Sequence, residues 1–490
     1  MELLVLLLVL AIPTVAVGGV VLAVVKPETR DRLRSGWRAL SRSLPGRLAL
    51  VFATGVALLI PLQLVEELRE ERGHRLTEVE HEMASQWGGS QSVLGPVLWL
   101  PVVDTWNERV EKTDADGNVK VHVLPRTARR TYVVLPEALA VTGDLDPSKL
   151  RRGLYDVLVY DARVSLTAQF RRPELQAPTG HELEPLWSEA QLLVELSDLS
   201  AVSSVDELRW QDVDMRPNSG VLATQGRGIR GAIPSFDGAT ADATVRLRLR
   251  GMGSLSVAAL GEQSDVTLAG AWDAPSFGGF TLPVEREVGS DAFTGRWSVI
   301  GVSRPLPQII ELGAEGSIDP LRRHTVGVTL VEPASPYAST ERAITYGLLV
   351  IGLCLLTFLL LEHGMQLQLH PVQWLVNGLA LVVFYLILLA TSEHSGFHVA
   401  YGAASAVTIA MVGAYTWVAT RSVKVAGAVL GSLSVLYAAM YGMLRSEDHS
   451  LLMGTGLVVA ALAGVMWVTR SLGHDGGDPP EGAVSEPFVA

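Results

Sequence analysis

The chain has 490 residues, with 39 basic and 51 acidic side chains, a net charge of −12 and a single cysteine. The acidic balance argues against nucleic-acid binding, which needs concentrated basic patches. One cysteine excludes an intramolecular disulfide and gives no zinc or redox signal. The mean hydropathy of +0.30 is high for a soluble chain of this length, and the apolar residues are clustered, so the composition predicts a polytopic membrane protein.

The first 65 residues predict two membrane spans joined by a basic loop. Residues 1–25 are mostly apolar, too long for the core of a typical signal peptide, and have no basic residue before them, so we interpret them as an N-terminal transmembrane helix. Residues 26–47 carry seven basic and two acidic side chains, which predicts a cytoplasmic loop. The apolar residues of this loop also suit an amphipathic helix on anionic lipid. Residues 48–65 form the second predicted transmembrane helix, which leads outward.

Residues 66–340 are predicted to form a periplasmic stalk and a large, mostly antiparallel β-rich domain. Residues 66–87 are charged but keep apolar residues at helical spacing, as in an amphipathic stalk. Beyond Gly88, Gly89 and Gly95-Pro96, which we interpret as a break, polar and apolar residues alternate between turn residues. The length allows one sandwich-like unit or two smaller ones. Strands are predicted at 120–124, 131–135, 155–170, 191–196, 243–251, 254–260, 265–269 and 324–331.

Residues 341–470 predict a C-terminal block of five transmembrane helices, which brings the total to about seven spans. Residues 372–391 contain no charged residue, and twenty helical residues rise about 30 Å, the thickness of the hydrocarbon core. Glycines in the block are predicted to allow close helix packing. The tail, residues 471–490, is acidic and rich in glycine and proline and is predicted to be disordered and cytoplasmic. The five predicted spans are residues 346–361, 372–391, 399–420, 425–444 and 451–469.

Short motifs in the same order as in a known family run through most of the chain. In the last membrane block they are Leu369-His370-Pro371, Ser392-Glu393-His394 and Thr469-Arg470, and upstream they include Pro275-Ser276-Phe277-Gly278-Gly279-Phe280 and Thr340-Glu341-Arg342-Ala343. The chain resembles the CreD family of bacterial inner-membrane proteins associated with cell-envelope integrity. The resemblance implies an envelope protein with a periplasmic domain and a C-terminal helical block. It defines no catalytic or transport residue, and the first predicted span goes beyond the family plan.

Three polar residues of the predicted spans are candidates for function. Glu393 and His394 stand at the outer end of the fourth predicted span, where an acid beside a histidine suits proton relay or binding of a cationic headgroup. Asn377 lies inside the same span. The alternatives are structural: Glu393 and His394 end the helix in water, and Asn377 joins helices by a hydrogen bond.

A metal site at the same boundary is a weaker interpretation. His398 follows His394 by four residues, so one continuous helix would place both on one face near Glu393. Gly396 between them argues against that helix, and no metal or cofactor is predicted. Three further polar residues are interpreted as solvated residues of a cytoplasmic loop: Glu362, His363 and His370.

No Gly-x-Ser-x-Gly, His-Glu-x-x-His or phosphate-loop motif is present, so a membrane enzyme ranks third among the predicted functions and the leading prediction is a non-catalytic role. We expect an inner-membrane protein that maintains or senses the integrity of the cell envelope. Its β domain would bind a periplasmic or envelope protein or a glycan, and its helices would contact membrane lipids. The alternative is a transporter or lipid-handling protein in which Glu393, His394 and Asn377 face an internal cavity.

Overall fold

The computed structural model describes residues 44–113, 119–153, 155–221, 227–312, 318–332, 336–364, 371–445 and 450–469. The chain divides into a helical unit, residues 1–74 and 334–490, and a β unit, residues 75–333. The first predicted span, the basic loop up to residue 43 and the tail lie outside the described residues.

Helix α1 (Leu44–Trp87) joins the predicted second span and the predicted stalk in one helix of 44 residues, with Pro61 inside it. At 1.5 Å per residue it is about 66 Å long. Its first half is apolar, and its second half is supported by charged pairs such as Arg69 to Glu66, whose side chains meet at 2.6 Å one turn apart. The last turns of α1 belong to the β unit, where Met83 packs on Val157.

The described part of the β unit contains eighteen strands and one short α-helix, besides three single 3-10 turns. In chain order these are β1 (Gln91–Thr113), β2 (Val119–Val134), β3 (Ala138–Arg152), β4 (Tyr155–Arg171), β5 (His181–Pro185), β6 (Gln191–Leu196), β7 (Val202–Trp210), β8 (Val213–Asp214), β9 (Asn218–Val221), β10 (Arg227–Ala232), β11 (Thr240–Met252), β12 (Ser254–Ala258), β13 (Gln263–Gly270), β14 (Pro275–Gly279), β15 (Glu285–Val288), β16 (Phe293–Ile300), β17 (Ile309–Leu312), α2 (Asp319–Arg322) and β18 (Thr325–Leu330).

These strands form two mixed sheets. The first has the order β14-β18-β12-β1-β6-β10-β9, with β2 and β5 also paired to β1 and β17 paired to β2, and the second has the order β15-β16-β13-β3-β4-β11-β7-β8. Most pairs are antiparallel, as predicted, but β1 pairs with β12 and β3 with β13 in parallel.

The two sheets share one apolar core. In β11, Val245, Leu247 and Leu249 are at most 1% exposed, while Arg246 and Arg248 alternate with them toward solvent. Burying each aliphatic side chain of this kind contributes about 1.5–3 kcal/mol. Because the main core cluster takes residues from both sheets, the β-rich region is one sandwich-like unit rather than two.

Strand β1 runs through Gly95-Pro96, so this part of the predicted break is wrong, whereas Gly88 and Gly89 do separate the end of α1 from β1. Gly95 has a φ of +120° and precedes Pro96 through a cis peptide bond. The pairing of β1 with β6 shifts register between Leu94 and Val97 at this point. A Cβ on Gly95 would lie 2.7 Å from the carbonyl oxygen of Leu193, so only glycine fits here.

The helical unit continues after the β unit with six helices among the described residues. They are α3 (Pro336–Thr345), α4 (Gly347–Gly364), α5 (Pro371–Ser395), α6 (Phe397–Thr420), α7 (Val423–Arg445) and α8 (Ser450–Thr469).

Four helices are long and apolar enough to cross a membrane, and a fifth span is possible by length and composition. The four are α1 from Leu48 onward, α5, α6 and α7, and the fifth would join Ser339–Thr345 to Gly347–Glu362 across a bend of 46°. A shorter apolar helix covers Leu452–Ala463. The described residues therefore contain four or five of the seven predicted spans.

Only some glycines of the helical unit provide close helix contacts. A Cβ on Gly378 of α5 would lie 2.2 Å from Cδ1 of Leu58 in α1, and one on Gly413 of α6 would lie 2.4 Å from Leu430 in α7. Gly352 and Gly402 have no heavy atom within 4 Å of that position. Close packing through glycine, as predicted, thus holds at particular positions and not throughout the block.

Candidate functional site

Glu393 and His394 lie in the last turn of α5 and have different surroundings. The side chain of Glu393 is 9% exposed, and its Oε1 lies 4.0 Å from Nη1 of Arg72 on α1. His394 is exposed, and its Nδ1 lies 3.3 Å from the carbonyl oxygen of Ala390 in its own helix. This geometry makes Glu393 part of a charged contact between α1 and α5.

Asn377 is buried at the other end of α5, about 24 Å from Glu393 along the helix axis. It lines a cavity of about 10 Å³ together with Glu362, Gln373 and Thr416. That volume is the room of one water molecule. The three residues predicted to act together therefore do not meet, and the cavity at Asn377 does not hold a solute.

The structure argues against the predicted metal interpretation at the α5–α6 boundary. Gly396, with a φ of +74°, separates α5, which contains His394, from α6, whose second residue is His398. Nδ1 of His398 lies 3.0 Å from the hydroxyl of Tyr441. No cluster of three histidine, cysteine or acidic residues suited to a metal ion occurs within the described ranges.

The predicted loop residues are only partly covered by the structure. Glu362 is 4% exposed and lies in α4, so its interpretation as a solvated loop residue is wrong. The side chains of His363 and His370 lie outside the described residues.

The ring of Trp374 in α5 is buried against Phe358 of α4, with ring centroids 6.2 Å apart.

One face of α6 carries hydroxyl groups that the sequence analysis did not single out. Tyr401, Ser405, Thr408 and Thr416 are buried and follow one another at helical spacing, and the Tyr401 hydroxyl donates to the carbonyl oxygen of Tyr437 at 2.7 Å. The sequence signal that could have identified this face was a series of polar residues spaced four, three and eight positions apart in an apolar helix. Five buried hydroxyls on α5, α6 and α7 have no hydrogen-bond partner of good geometry among the described residues: those of Tyr385, Ser405, Thr408, Thr416 and Tyr437.

The β unit contains a buried charged centre at Asp104 of β1. Asp104 is 0% exposed; its Oδ2 accepts from Nε of Arg130 at 2.7 Å, and its Oδ1 lies 2.8 Å from Nδ1 of His181. Arg130 also pairs with Glu311 of β17. The His181 ring stacks on Trp106, with centroids 5.1 Å apart. Four strands thus place two acids, an arginine and a histidine in one connected network.

Two opposing effects set the charge state of Asp104. Burial by itself would raise the pKa of this carboxyl, but hydrogen bonds from His181 and Arg130 outweigh burial and lower the pKa below its ordinary value of 3.8. Sequence reasoning missed Asp104 because β1 was not predicted. In the described strand it continues the buried series of Leu98, Leu100 and Val102 at every second position.

A groove of about 690 Å³ opens at one end of the second sheet, where β3 and β13 begin and β16 ends. Arg304 lines it and is only 2% exposed. Its Nε donates to the carbonyl oxygen of Gly261 at 3.2 Å, and its Nη2 donates to Gln308. Nη1 is buried and has no hydrogen-bond partner among the described residues.

The charge of Arg304 is poorly compensated. Burial lowers the pKa of this guanidinium, while the nearby carboxylate of Glu262 raises it in part. An arginine stays protonated at neutral pH all the same. Glu137, the other acid of the groove, pairs with Arg171. No sequence pattern marked Arg304, because it follows a short turn outside the predicted strands.

One residue of the motif at 275–280 belongs to an aromatic cluster of the β unit. Phe277 of β14 lies edge-on to Phe293 and Trp297 of β16, with centroids 5.9 and 5.8 Å apart. Trp297 is fully buried. These aromatic residues therefore pack the two sheets together.

Comparison with known proteins agrees with the resemblance seen in the sequence. The family described as "Inner membrane protein CreD" matches residues 43–474. The inner membrane protein CreD of Escherichia coli (strain K12) is 31% identical over 433 residues, which cover 87% of this chain and 92% of the relative.

Proposed function

This chain belongs to the CreD family of inner membrane proteins, and from that membership we propose that its β unit is a binding module outside the membrane that serves the integrity of the cell envelope. In this proposal α1 leads into the β unit, the helices after it lead back into the membrane, and the partner is an envelope protein or glycan.

The observation that carries the proposal is the contrast between the openings of the two units. The β unit has its own core and an open groove of about 690 Å³, within the range of small-ligand sites. The cavity at Asn377 in the helical unit has about 10 Å³. A site for an envelope ligand is therefore better supported in the β unit than in the helices.

The charge of the loops supports an outward position of the β unit. Seven basic side chains between residues 26 and 47 favour a cytoplasmic location for that segment. One predicted span, residues 48–65, then separates it from the β unit, which would lie on the outer side. Arg421, between α6 and α7, and Lys424, in the first turn of α7, fall on the same cytoplasmic side when the predicted spans are counted.

Growth of cells under envelope stress tests this function. Cells lacking the protein receive the intact chain, a chain that ends at Thr340, or a chain with Glu393→Gln and His394→Ala, at matched protein levels. We expect the shortened chain to protect as well as the intact one and the double substitution to be harmless. Loss of protection with the shortened chain, present at normal level, would contradict the proposal.

The buried hydroxyls of α6 favour a second candidate, a membrane block that admits water and polar solutes when it opens. Thiol labelling in a Cys354→Ser background, which removes the chain's one cysteine, tests it. Ser405→Cys, on the buried face, should react with a water-soluble reagent, whereas Val407→Cys, on the exposed face, should not. Equal protection of both positions in lipid would reject this candidate.

A further inference from the structure

The groove at Arg304 has an unusual distribution of charge for a site on a protein surface. Burying a guanidinium is unfavourable unless charge and hydrogen bonds compensate its lost hydration. Arg304 has two of its nitrogens occupied by Gly261 and Gln308, and it forms no ion pair with any described residue. Three N–H donors are left over, the two of Nη1 and one of Nη2.

The position of Arg304 is fixed by its neighbours. Gln308 accepts from Nη2 and donates to the carbonyl oxygen of Pro136 at 2.9 Å. The Arg304 backbone amide closes the preceding turn on Gly301 at 3.0 Å. A guanidinium held in this way is preorganised, so a ligand that reaches Nη1 loses little free energy to ordering the protein.

The remaining lining adds a negative charge and an apolar surface. Glu262 lies close enough to Arg304 for their charges to interact. Ile300 and Val302 also line the groove and are 56% and 93% exposed, which is high for large aliphatic side chains. Leu306 extends the apolar part. Arg304, the carboxylate of Glu262 and an aliphatic wall thus lie in a single groove, whose second acid, Glu137, is already paired with Arg171.

We propose that this groove binds a zwitterionic peptide of two or three residues with aliphatic side chains. Its carboxylate would accept from Arg304 Nη1, its ammonium group would lie at Glu262, and its side chains would cover Ile300 and Val302. An arginine-carboxylate contact of this kind is charge-assisted and stronger than a neutral hydrogen bond. The inference deepens the proposed function and rests on the β unit being a binding module.

Calorimetric titration of the full-length chain in lipid nanodiscs tests the assignment with three probes. The probes are the dipeptide leucyl-valine, its C-terminal amide, which lacks the carboxylate, and its N-acetyl form, which lacks the ammonium group. We expect the free dipeptide to bind at least about tenfold more tightly than either blocked form. Equal binding of all three, or no binding of the free dipeptide, overturns the inference without any need for a variant.

Variants then connect each group of the peptide to its residue. Arg304→Gln should reduce binding of the free dipeptide to that of the amide, and Glu262→Gln should reduce it to that of the acetylated form. Arg296→Gln and Glu285→Gln are matched controls, because these residues form an exposed pair at 3.3 Å on the same sheet. A similar loss in the controls contradicts the assignment.

The result is separable from the stress test of the proposed function. If the chain ending at Thr340 protects cells but no probe binds, the binding module stands and the peptide assignment fails. If the dipeptide binds with the expected preferences but the shortened chain does not protect, the site stands and the proposed function fails.

Discussion

Asp104 is buried in a sheet, and its carboxylate stays ionised there because it has hydrogen-bond partners in Arg130 and His181. The pKa of Asp104 is lower in the folded than in the unfolded chain, so its stabilisation is complete well above pH 4 and is lost as the pH falls below its ordinary value of 3.8. We expect Asp104→Asn to lower the unfolding midpoint at pH 7 and to flatten the decline of that midpoint between about pH 5 and pH 3.

Thermal unfolding of the purified chain at a series of pH values measures this effect. Asp144→Asn is the control, because its pair with Arg163 is exposed on both sides and such pairs contribute little. If Asp104→Asn and Asp144→Asn give the same curves, Asp104 does not stabilise the fold through its charge.

Gly378 allows α1 and α5 to pack closely, because it has no Cβ to meet Leu58. A methyl group there would meet Leu58, which is 1% exposed and has little space to move. We expect Gly378→Ala to destabilise the chain by about 1–3 kcal/mol, the usual cost of overpacking. Gly402→Ala should be neutral or stabilising by up to about 1 kcal/mol, since it meets nothing and alanine favours the helix.

Denaturation in one detergent compares the two glycine variants directly. Leu58→Ala removes the atom that the new methyl group meets, so the double variant should lose less stability than the sum of the two single losses. Additive losses would mean that the cost of Gly378→Ala lies elsewhere in the helix.

At the level of elements, the contact between α1 and α5 decides how Glu393 should be interpreted. If Glu393 serves to join these helices through Arg72, then Arg72→Gln and Glu393→Gln should lower the thermal midpoint by similar small amounts and leave protection under envelope stress unchanged. If Glu393 instead exchanges protons, Glu393→Gln alone should abolish protection. Midpoints and growth measured on the same pair of variants separate the two roles.

Helices and strands differ in how well the sequence predicted them. A run of about twenty apolar residues admits few other structures, and all five spans predicted between residues 346 and 469 fall on helices. Strand β4 was predicted from its alternating residues within one or two positions. Strands β1 and β3 were not, because Gly95, Pro96 and Pro147 look like turn residues until tertiary pairing is known.

The candidate site was the least predictable part, because its geometry depends on pairing between distant strands. Asp104 and His181 are 77 residues apart, and only the register of β1 with β5 brings them together. Arg304 becomes a buried cation only when its turn closes over Gly261. Conversely, the sequence indicated Glu393 and Asn377 because polar residues within membrane spans are costly and often functional. Both lie in the same helix, α5, sixteen positions apart, so they do not meet.

At the scale of the whole molecule, the orientation of the β unit is the property most open to direct measurement. In a Cys354→Ser background, Leu282→Cys in the β unit, 71% exposed, should react with a membrane-impermeant maleimide in cells whose outer membrane is permeabilised. Lys424→Cys, in the first turn of α7, should react only after the inner membrane is lysed. The reverse pattern would place the β unit inside the cell.

The parallel pairing of β1 with β12 has a consequence for biosynthesis. The register joins residues 91–93 to residues 255–257. Strand β3 likewise pairs in parallel with β13, which is synthesised much later. Since contacts so distant in sequence form slowly, the earliest strands of the β unit have unpaired edges until most of the unit has been synthesised. Newly made chains are therefore prone to aggregate at this stage, and a chain cut short before β12 lacks the strand that connects β1 to β18.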